Sequence, residues 1–318
     1  MTNEFQLQCA YDKIWQLPTF IGFLALHQNQ NIVLTLNPEA IDLRLLGLYD
    51  LLDCFTFKSV TIHTYNPFEA HDRYKICISS NHIINRYVGL NINPELHIWN
   101  QSKVFMTMYG RPSAARLVLS AHLFEHHRAI SNIHLKYDQD ADSLALFEIN
   151  KLCQYSAGYV ELVGKMIKCL PLHIASSDHY TPTGYEFDKE IVLTYKYQDV
   201  FVDIVGETFV DGKTFLPTEK IFRCMLLKKP FIVYGSENFL LYLRQMGFQT
   251  FYQFWDEDYD GYQGKERLSR ILKLIDNLAD TPTTKLNEML KDMQKILDHN
   301  YNVIIKRLFT TTINLVTE

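Results

Sequence analysis

Short apolar runs of strand length alternate along this chain with stretches whose apolar residues recur at helical spacing. Residues 31–36 (NIVLTL) form the first run, closed by Asn37-Pro38. Residues 39–53 follow with Ile41, Leu45, Leu48 and Leu52 on one helical stripe. Residues 59–63 (SVTIH) and 75–79 (KICIS) read as two further strands. Strands separated by a helix of this length predict βαβ units, because parallel neighbours need a crossover rather than a hairpin.

The same grammar repeats further along. Residues 104–108 (VFMTM) predict a strand, 109–113 a turn containing Gly110 and Pro112, and 114–127 a helix. Residues 132–137 (NIHLKY) and 201–205 (FVDIV) predict strands, and a loop over 206–217 leads into a helix over 218–227. A buried strand over 230–234 (PFIVY) and a helix over 237–246 come next, and 265–278 and 283–309 predict closing helices. Between residues 85 and 102 the pattern loosens, which divides the chain into an N-terminal α/β domain over 1–102 and a C-terminal α/β domain over 103–318. The expected class is α/β: two Rossmann-like, doubly wound domains with closing C-terminal helices, and ligands at the carboxyl ends of the strands.

Composition narrows the class without altering that picture. A chain of 318 residues, 47% hydrophobic and 21% charged, is large and apolar enough for two cores. A net charge of −5 supplies no field that gathers nucleic acid. The six cysteines show no CxxC or other ligand spacing, as expected of free thiols in a reducing compartment. No basic-then-apolar leader is visible, and no apolar run approaches the roughly 18–20 residues of a membrane span. A soluble cytoplasmic protein is the expectation.

The densest polar constellation is Glu207-Thr208, then Thr218-Glu219-Lys220, then the strand 230–234 with Gly235. Thr218 stands where a helix N-cap belongs, with Glu219 and Lys220 in the first turn. A helix N-terminus presents unpaired N–H groups and the positive end of its dipole, both suited to a diphosphate. An ordinary capped helix with a surface Glu and Lys satisfies the same spacing, since an acid in the first turn is stabilising in any case.

The stretch 207–235, ETFVDGKTFLPTEKIFRCMLLKKPFIVYG, resembles the signature of family 10 α1,3-fucosyltransferases. That signature runs from an acid-Asn pair through a short loop to Thr/Ser-Glu-Lys, a helix, and a Pro-Val-type strand ending in Gly. Thr218, Glu219, Lys220, Pro230, Val233 and Gly235 match it. Upstream, Met108-Tyr109-Gly110-Arg111-Pro112-Ser113-Ala114-Ala115-Arg116 occupies the place of the family's strand-loop-helix segment, whose Arg contacts the donor diphosphate. Arg116 is the matching position and Arg111 a second candidate. The resemblance spans about residues 104–260, with 238–254 similar to the segment after the Gly, and extends to glycosyltransferase-like proteins of large DNA viruses and phages. It implies a GT-B fold and a nucleotide-sugar donor (GDP- or UDP-sugar) held by Arg111 or Arg116 with Glu207, Thr218, Glu219 and Lys220. It also implies a glycan acceptor on the N-terminal domain, inverting transfer without a metal, and no cofactor. If the chain is viral, the host cytoplasm is its place. Thr208 stands where the family has Asn, and the loop before the triplet is about two residues longer, which leaves the donor sugar open.

Three further groups carry residue types suited to chemistry. His122 and His126, four apart on one helix, have zinc-compatible spacing, but no third ligand of defined spacing follows and helix surface is the expectation. The acidic runs 138–142 and 256–260 resemble metal-binding DxD segments and are read as solvated loop acids, so no metal is assigned. A general base is needed to take the acceptor's hydroxyl proton, and Glu69, His71 and Asp72 form the best local group for it. Two rival functions stay open: a DNA-modifying glycosyltransferase acting on a hydroxymethylated base, and a catalytically silent protein that keeps the fold.

Overall fold

The structure is a computed structural model that describes residues 2–10, 13–37, 40–79, 98–110, 112–135, 150–172 and 195–316. The chain divides into two compact units, one of Met1–Ile83 with Thr208–Pro217, the other of Ile84–Glu207 with Thr218–Glu318. Residues 98–102 fall in the second unit. Trp99 shows why residues 98–102 belong to it: the indole N–H donates to the Lys103 (2.7 Å) and Asp199 (3.1 Å) carbonyls, and the ring packs on Phe201 at 5.4 Å.

In the first unit, β1 (Thr2–Leu7), α1 (Leu17–Leu26), β2 (Asn31–Leu36), α2 (Leu48–Asp53), β3 (Ser59–Thr64) and β4 (Lys75–Ile78) follow in order. The strands form one parallel sheet in the order β1-β2-β3-β4. Alternation explains the core: Ile32, Leu34 and Leu36 of β2 and Val60 and Ile62 of β3 are buried, joined by Phe20 and Leu24 of α1. Phe209 and Leu216, from the segment between the two halves of the second unit, complete this same cluster.

The helix expected over residues 39–53 is present only as α2. Two side chains capture the donors that a longer helix would need. Asp42 Oδ1 accepts the N–H groups of Arg44 (3.0 Å) and Leu45 (3.1 Å), and Glu69 Oε1 accepts that of Leu43 (2.7 Å). Gly47, at φ 72°, then turns the chain into α2, and Leu45 is left 58% exposed rather than on a core stripe.

In the second unit the elements are β5 (Phe105–Tyr109), α3 (Ala114–His126), β6 (Ser131–Leu135), α4 (Ala157–Ile167), β7 (Val202–Gly206), α5 (Glu219–Leu226), β8 (Phe231–Tyr234), α6 (Phe239–Gln245), α7 (Gly264–Ala279) and α8 (Thr283–Val316). The sheet is again parallel, in the order β8-β7-β5-β6. Strands β5, β7 and β8 are buried along their whole length, which is why they read as mainly apolar runs, interrupted by Thr107 in β5 and Asp203 in β7. No helix among the described residues is long and apolar enough to cross a membrane.

The first sheet advances in one direction, whereas the second reverses between β5 and β7. From β5 the chain moves outward to β6, and later from β7 outward the other way to β8. Right-handed crossovers place α3 and α5 on opposite faces, and their first turns flank the crevice at the carboxyl ends of β5 and β7. A buried network fixes α5 there. Asp203 of β7 accepts from the Tyr197 hydroxyl and from Cys224 Sγ (3.3 Å), while Arg223 Nε donates to the Tyr197 hydroxyl (2.8 Å). Burial raises the Asp203 carboxyl above its usual range against the pull of the Arg223 charge.

Candidate functional site

The crevice at the order reversal collects most of the residues singled out from the sequence. Ser113 caps α3, its side chain accepting from Arg116 N, and this sets Arg116 in the first turn. The Arg116 side chain is 4% exposed, and Nε (3.2 Å) and Nη2 (2.8 Å) both donate to the carbonyl of Gly206, the last residue of β7. Its guanidinium lies 5.7 Å from the Tyr109 ring, and the Tyr109 hydroxyl donates to the Ile204 carbonyl at 2.7 Å. The expected fork for phosphate is therefore turned at two of its donors onto a main-chain carbonyl, and Arg116 locks the end of β7 to the start of α3.

Glu207 follows Gly206 and is 2% exposed. Its carboxylate accepts from the Thr218 N–H at 3.2 Å and from the Thr218 hydroxyl at 2.6 Å. The same Thr218 oxygen accepts from Lys220 N (3.4 Å) and Lys220 Nζ (2.9 Å), so it caps α5 as the sequence predicts. Lys220 Nζ also donates to Glu219 Oε1 at 2.8 Å and stands 3.8 Å from Glu207 Oε2. Its side chain is 12% exposed. Burial raises the Glu219 carboxyl, and the adjoining Lys220 ammonium more than offsets this, leaving it below its usual range. Two cations and two carboxylates thus balance at the edge, and an incoming anion competes with Glu219 and Glu207 for Lys220.

Gly206 is what permits this approach. A Cβ at that position meets Arg116 Cγ at 3.0 Å, Tyr109 Cε1 at 3.1 Å and Arg116 Nε at 3.3 Å. Gly206→Ala is expected to destabilise the protein by about 1–3 kcal/mol by overpacking. In urea unfolding, Arg116→Met should absorb part of that cost in the double variant, and strict additivity would remove the contact as its cause.

The other candidates fall elsewhere. Arg111 and the acidic run 138–142 lie outside the described residues. Glu69 is in the first unit, 9% exposed, with Oε1 accepting from Leu43 N (2.7 Å) and Asn66 Nδ2 (3.1 Å) and Oε2 from the Tyr49 hydroxyl (2.7 Å). Burial raises its carboxyl pKa, but one oxygen is committed to loop groups and the other to Tyr49 of α2, so its geometry is that of a structural anchor. His71 packs at a tilt on Tyr49 (4.4 Å) and stacks on Tyr74 (4.5 Å), and its Nδ1 accepts from Arg73 N at 3.2 Å. Asp72 is exposed beside it. The run 256–260 is not merely solvated: Asp260 is 7% exposed and accepts the Leu240 and Leu241 N–H groups at the start of α6, and Glu257 accepts from Phe251 N at 2.7 Å. His122 is likewise buried rather than on the surface, and only His126 of that pair is exposed. Sequence reasoning passed over Gly206, Tyr109 and Tyr197. A glycine ending an apolar strand was the available signal for the first, and the other two carried none.

No family model matches the chain and no curated protein matches it. One solved structure similar to it is a glycosyltransferase from Rickettsia africae ESF-5, with a TM-score of 0.34 and 10% identity over 94% of this chain and 80% of that one. A score that low establishes no common chemistry, and a fold by itself does not fix function. The functional reading rests on the residues at the β5–β7 edge.

Proposed function

We propose that the chain is a glycosyltransferase that binds a nucleoside-diphosphate sugar at the carboxyl edge of its second sheet. The supporting observation is the convergence there of Arg116, Glu207, Thr218, Glu219 and Lys220, from two helices about a hundred residues apart in sequence, at the one place where the strand order reverses. In this reading the α5 N-terminus and Lys220 take the diphosphate, with Lys220 leaving Glu219 to do so. Glu219, once released, accepts from ribose or sugar hydroxyls. Arg116 positions the strand end and adds positive charge, and Arg111 is the second candidate for the phosphate. Negative charge developing on the leaving diphosphate is then stabilised by protein cations. A GDP- or UDP-sugar as donor, a glycan hydroxyl as acceptor and a metal-independent inverting transfer follow from the resemblance to family 10 enzymes.

Lys220→Ala is expected to weaken GDP or UDP binding by roughly 1.5–3 kcal/mol, about ten- to a hundredfold, through loss of a charge-assisted contact. Isothermal titration of both nucleotides against wild type and variant checks this, and unchanged affinity in a folded variant sinks the assignment. One observation favours a second reading, in which the fold and donor site persist without turnover. Glu69, the carboxylate proposed as base, has both oxygens engaged. Nucleotide binding without release of nucleoside diphosphate in the presence of sugar donors would select that reading.

A further inference from the structure

The end of α3 brings three metal-ligating groups together far from the β5–β7 edge. His122 Nε2 and His127 Nε2 each lie 2.7 Å from the same oxygen, Asp276 Oδ1 of α7. The coordinating atoms of the three residues all fall within 4.8 Å of one another. His122 and His127 are five apart, a spacing that a regular helix does not place on one face. His127 is the C-cap, and at φ −130°, ψ 21° it leaves helical geometry and swings its ring back toward the same carboxylate. The rings of His122 and His127 stand 5.4 Å apart, and their side chains are 11% and 15% exposed. The Asp276 side chain is 47% exposed, which leaves one side of the cluster open to solvent.

The geometry points to a divalent transition-metal site formed by His122, His127 and Asp276, with water in the fourth position. Two imidazole nitrogens and one carboxylate oxygen are the donor set of zinc, and of cobalt or nickel as its substitutes. Bonds of roughly 2.0–2.2 Å in a tetrahedron separate the ligand atoms by about 3.3 Å, so a bound ion needs the two 2.7 Å contacts to widen by about half an ångström and the two imidazole nitrogens, within 4.8 Å of each other, to settle at that same separation. The half-exposed Asp276 can supply that movement by a rotamer adjustment. On binding, the ion replaces the protons through which both rings now reach Asp276, and these pass to solvent or to the other ring nitrogens.

Position decides the role. His122 lies six residues beyond Arg116, about 9 Å further along α3. The His127 ring is 6.2 Å from that of Phe105, the first residue of β5. The site is therefore at the amino edge of the sheet, opposite the carboxyl edge, and the ion staples α3 to α7 without reaching the donor crevice.

The test uses the full chain without a histidine tag, stripped of metal and titrated with Co²⁺ and then Zn²⁺. One Co²⁺ per chain with visible ligand-field bands, displaced by Zn²⁺, is expected, and Zn²⁺ should raise the thermal midpoint. His127→Ala and Asp276→Asn should each weaken binding by at least roughly a hundredfold. Asp276→Asn keeps a polar group at a half-exposed position, so its metal-free unfolding midpoint should stay near wild type and separate lost ligation from lost fold. His126→Ala, which removes the exposed neighbour only, should leave affinity within about threefold. Absence of stoichiometric binding, equal affinity in Asp276→Asn, or loss in His126→Ala alone would overturn the site.

Discussion

Arg267→Met is expected to cost about 3–5 kcal/mol of stability, the largest loss among the substitutions considered. The side chain is 1% exposed and reaches three main-chain carbonyls: Nε to Tyr259 (3.2 Å), Nη2 to Asp260 (2.8 Å) and Nη1 to Gly235. Each carbonyl left without a partner in the interior costs roughly 1–3 kcal/mol, partly offset because a buried charge is also removed. The damage should spread, because these carbonyls fix the end of β8 and the turn whose Asp260 side chain caps α6. Arg267→Lys keeps the charge, but a single ammonium cannot fork to three acceptors, and it should recover less than half of the loss. Guanidinium unfolding of the three proteins decides the matter, and a cost below 1 kcal/mol for Arg267→Met would show that water replaces the guanidinium.

Lys229 should act in the opposite sense. It is 1% exposed, its Nζ donates to the Val200 carbonyl at 3.1 Å, and burial lowers its pKa to about 7 in spite of Asp199. Between pH 7 and 10.5 the unfolded chain therefore holds a proton that the folded chain has released. Stability from this group rises with pH through that window and is lowest below pH 7, where the ammonium is buried with its charge. The full effect is on the order of 3–5 kcal/mol. Lys229→Met removes it, so the variant should exceed wild type near pH 6, and the difference should close by pH 10. Urea midpoints measured at both pH values check this. A difference that does not change with pH would mean that the ammonium keeps its charge and a proper partner throughout.

Much of the fold was legible because parallel strands buried on both faces are continuous apolar runs. Of the eight described strands in the two four-stranded sheets, seven lie within a residue or two of the sequence reading. The missing one, β1, is an edge strand (TNEFQL) in which only Phe5 and Leu7 are apolar, so burial left little trace. Helix α4 escaped because AGYVELVGKMI carries two glycines, and α1 because its apolar residues run almost all around it. The helix over 39–53 failed for a tertiary reason: Glu69, 26 residues beyond Leu43, takes a donor that a local pattern assigns to the helix.

The site divides along the same line. Thr218 as N-cap is a local matter and was readable. That Arg116 spends two donors on a carbonyl 90 residues away, or that Lys220 folds back onto Thr218 and Glu219, depends on side-chain direction that spacing does not encode. The histidine pair shows it most plainly. Helical periodicity joins His122 with His126, whereas an unwound C-cap joins it with His127 through an aspartate 149 residues on from His127.

The excursion of Thr208–Pro217 into the first unit bears on how the chain is made. All four strands of the first sheet lie before residue 80, yet they are not finished without this later segment. Asn66 Nδ2 donates to the Lys213 carbonyl at 2.8 Å, Lys213 N donates to Asp42 Oδ2 at 2.7 Å, and Thr214 donates to the Ala40 carbonyl, across sequence separations of 147 to 174 residues. On a ribosome elongating at about 5–20 residues per second, residue 217 follows residue 83 by roughly 7–27 s. Throughout that interval the nascent N-terminal sheet lacks the covering side chains of Phe209 and Leu216, and Asn66 and Asp42 lack their Lys213 partners. The first unit is thus begun first and closed last, and nascent chains arrested after the exit of residue 83 but before that of residue 208 should be far more protease-sensitive than chains arrested beyond the exit of residue 217.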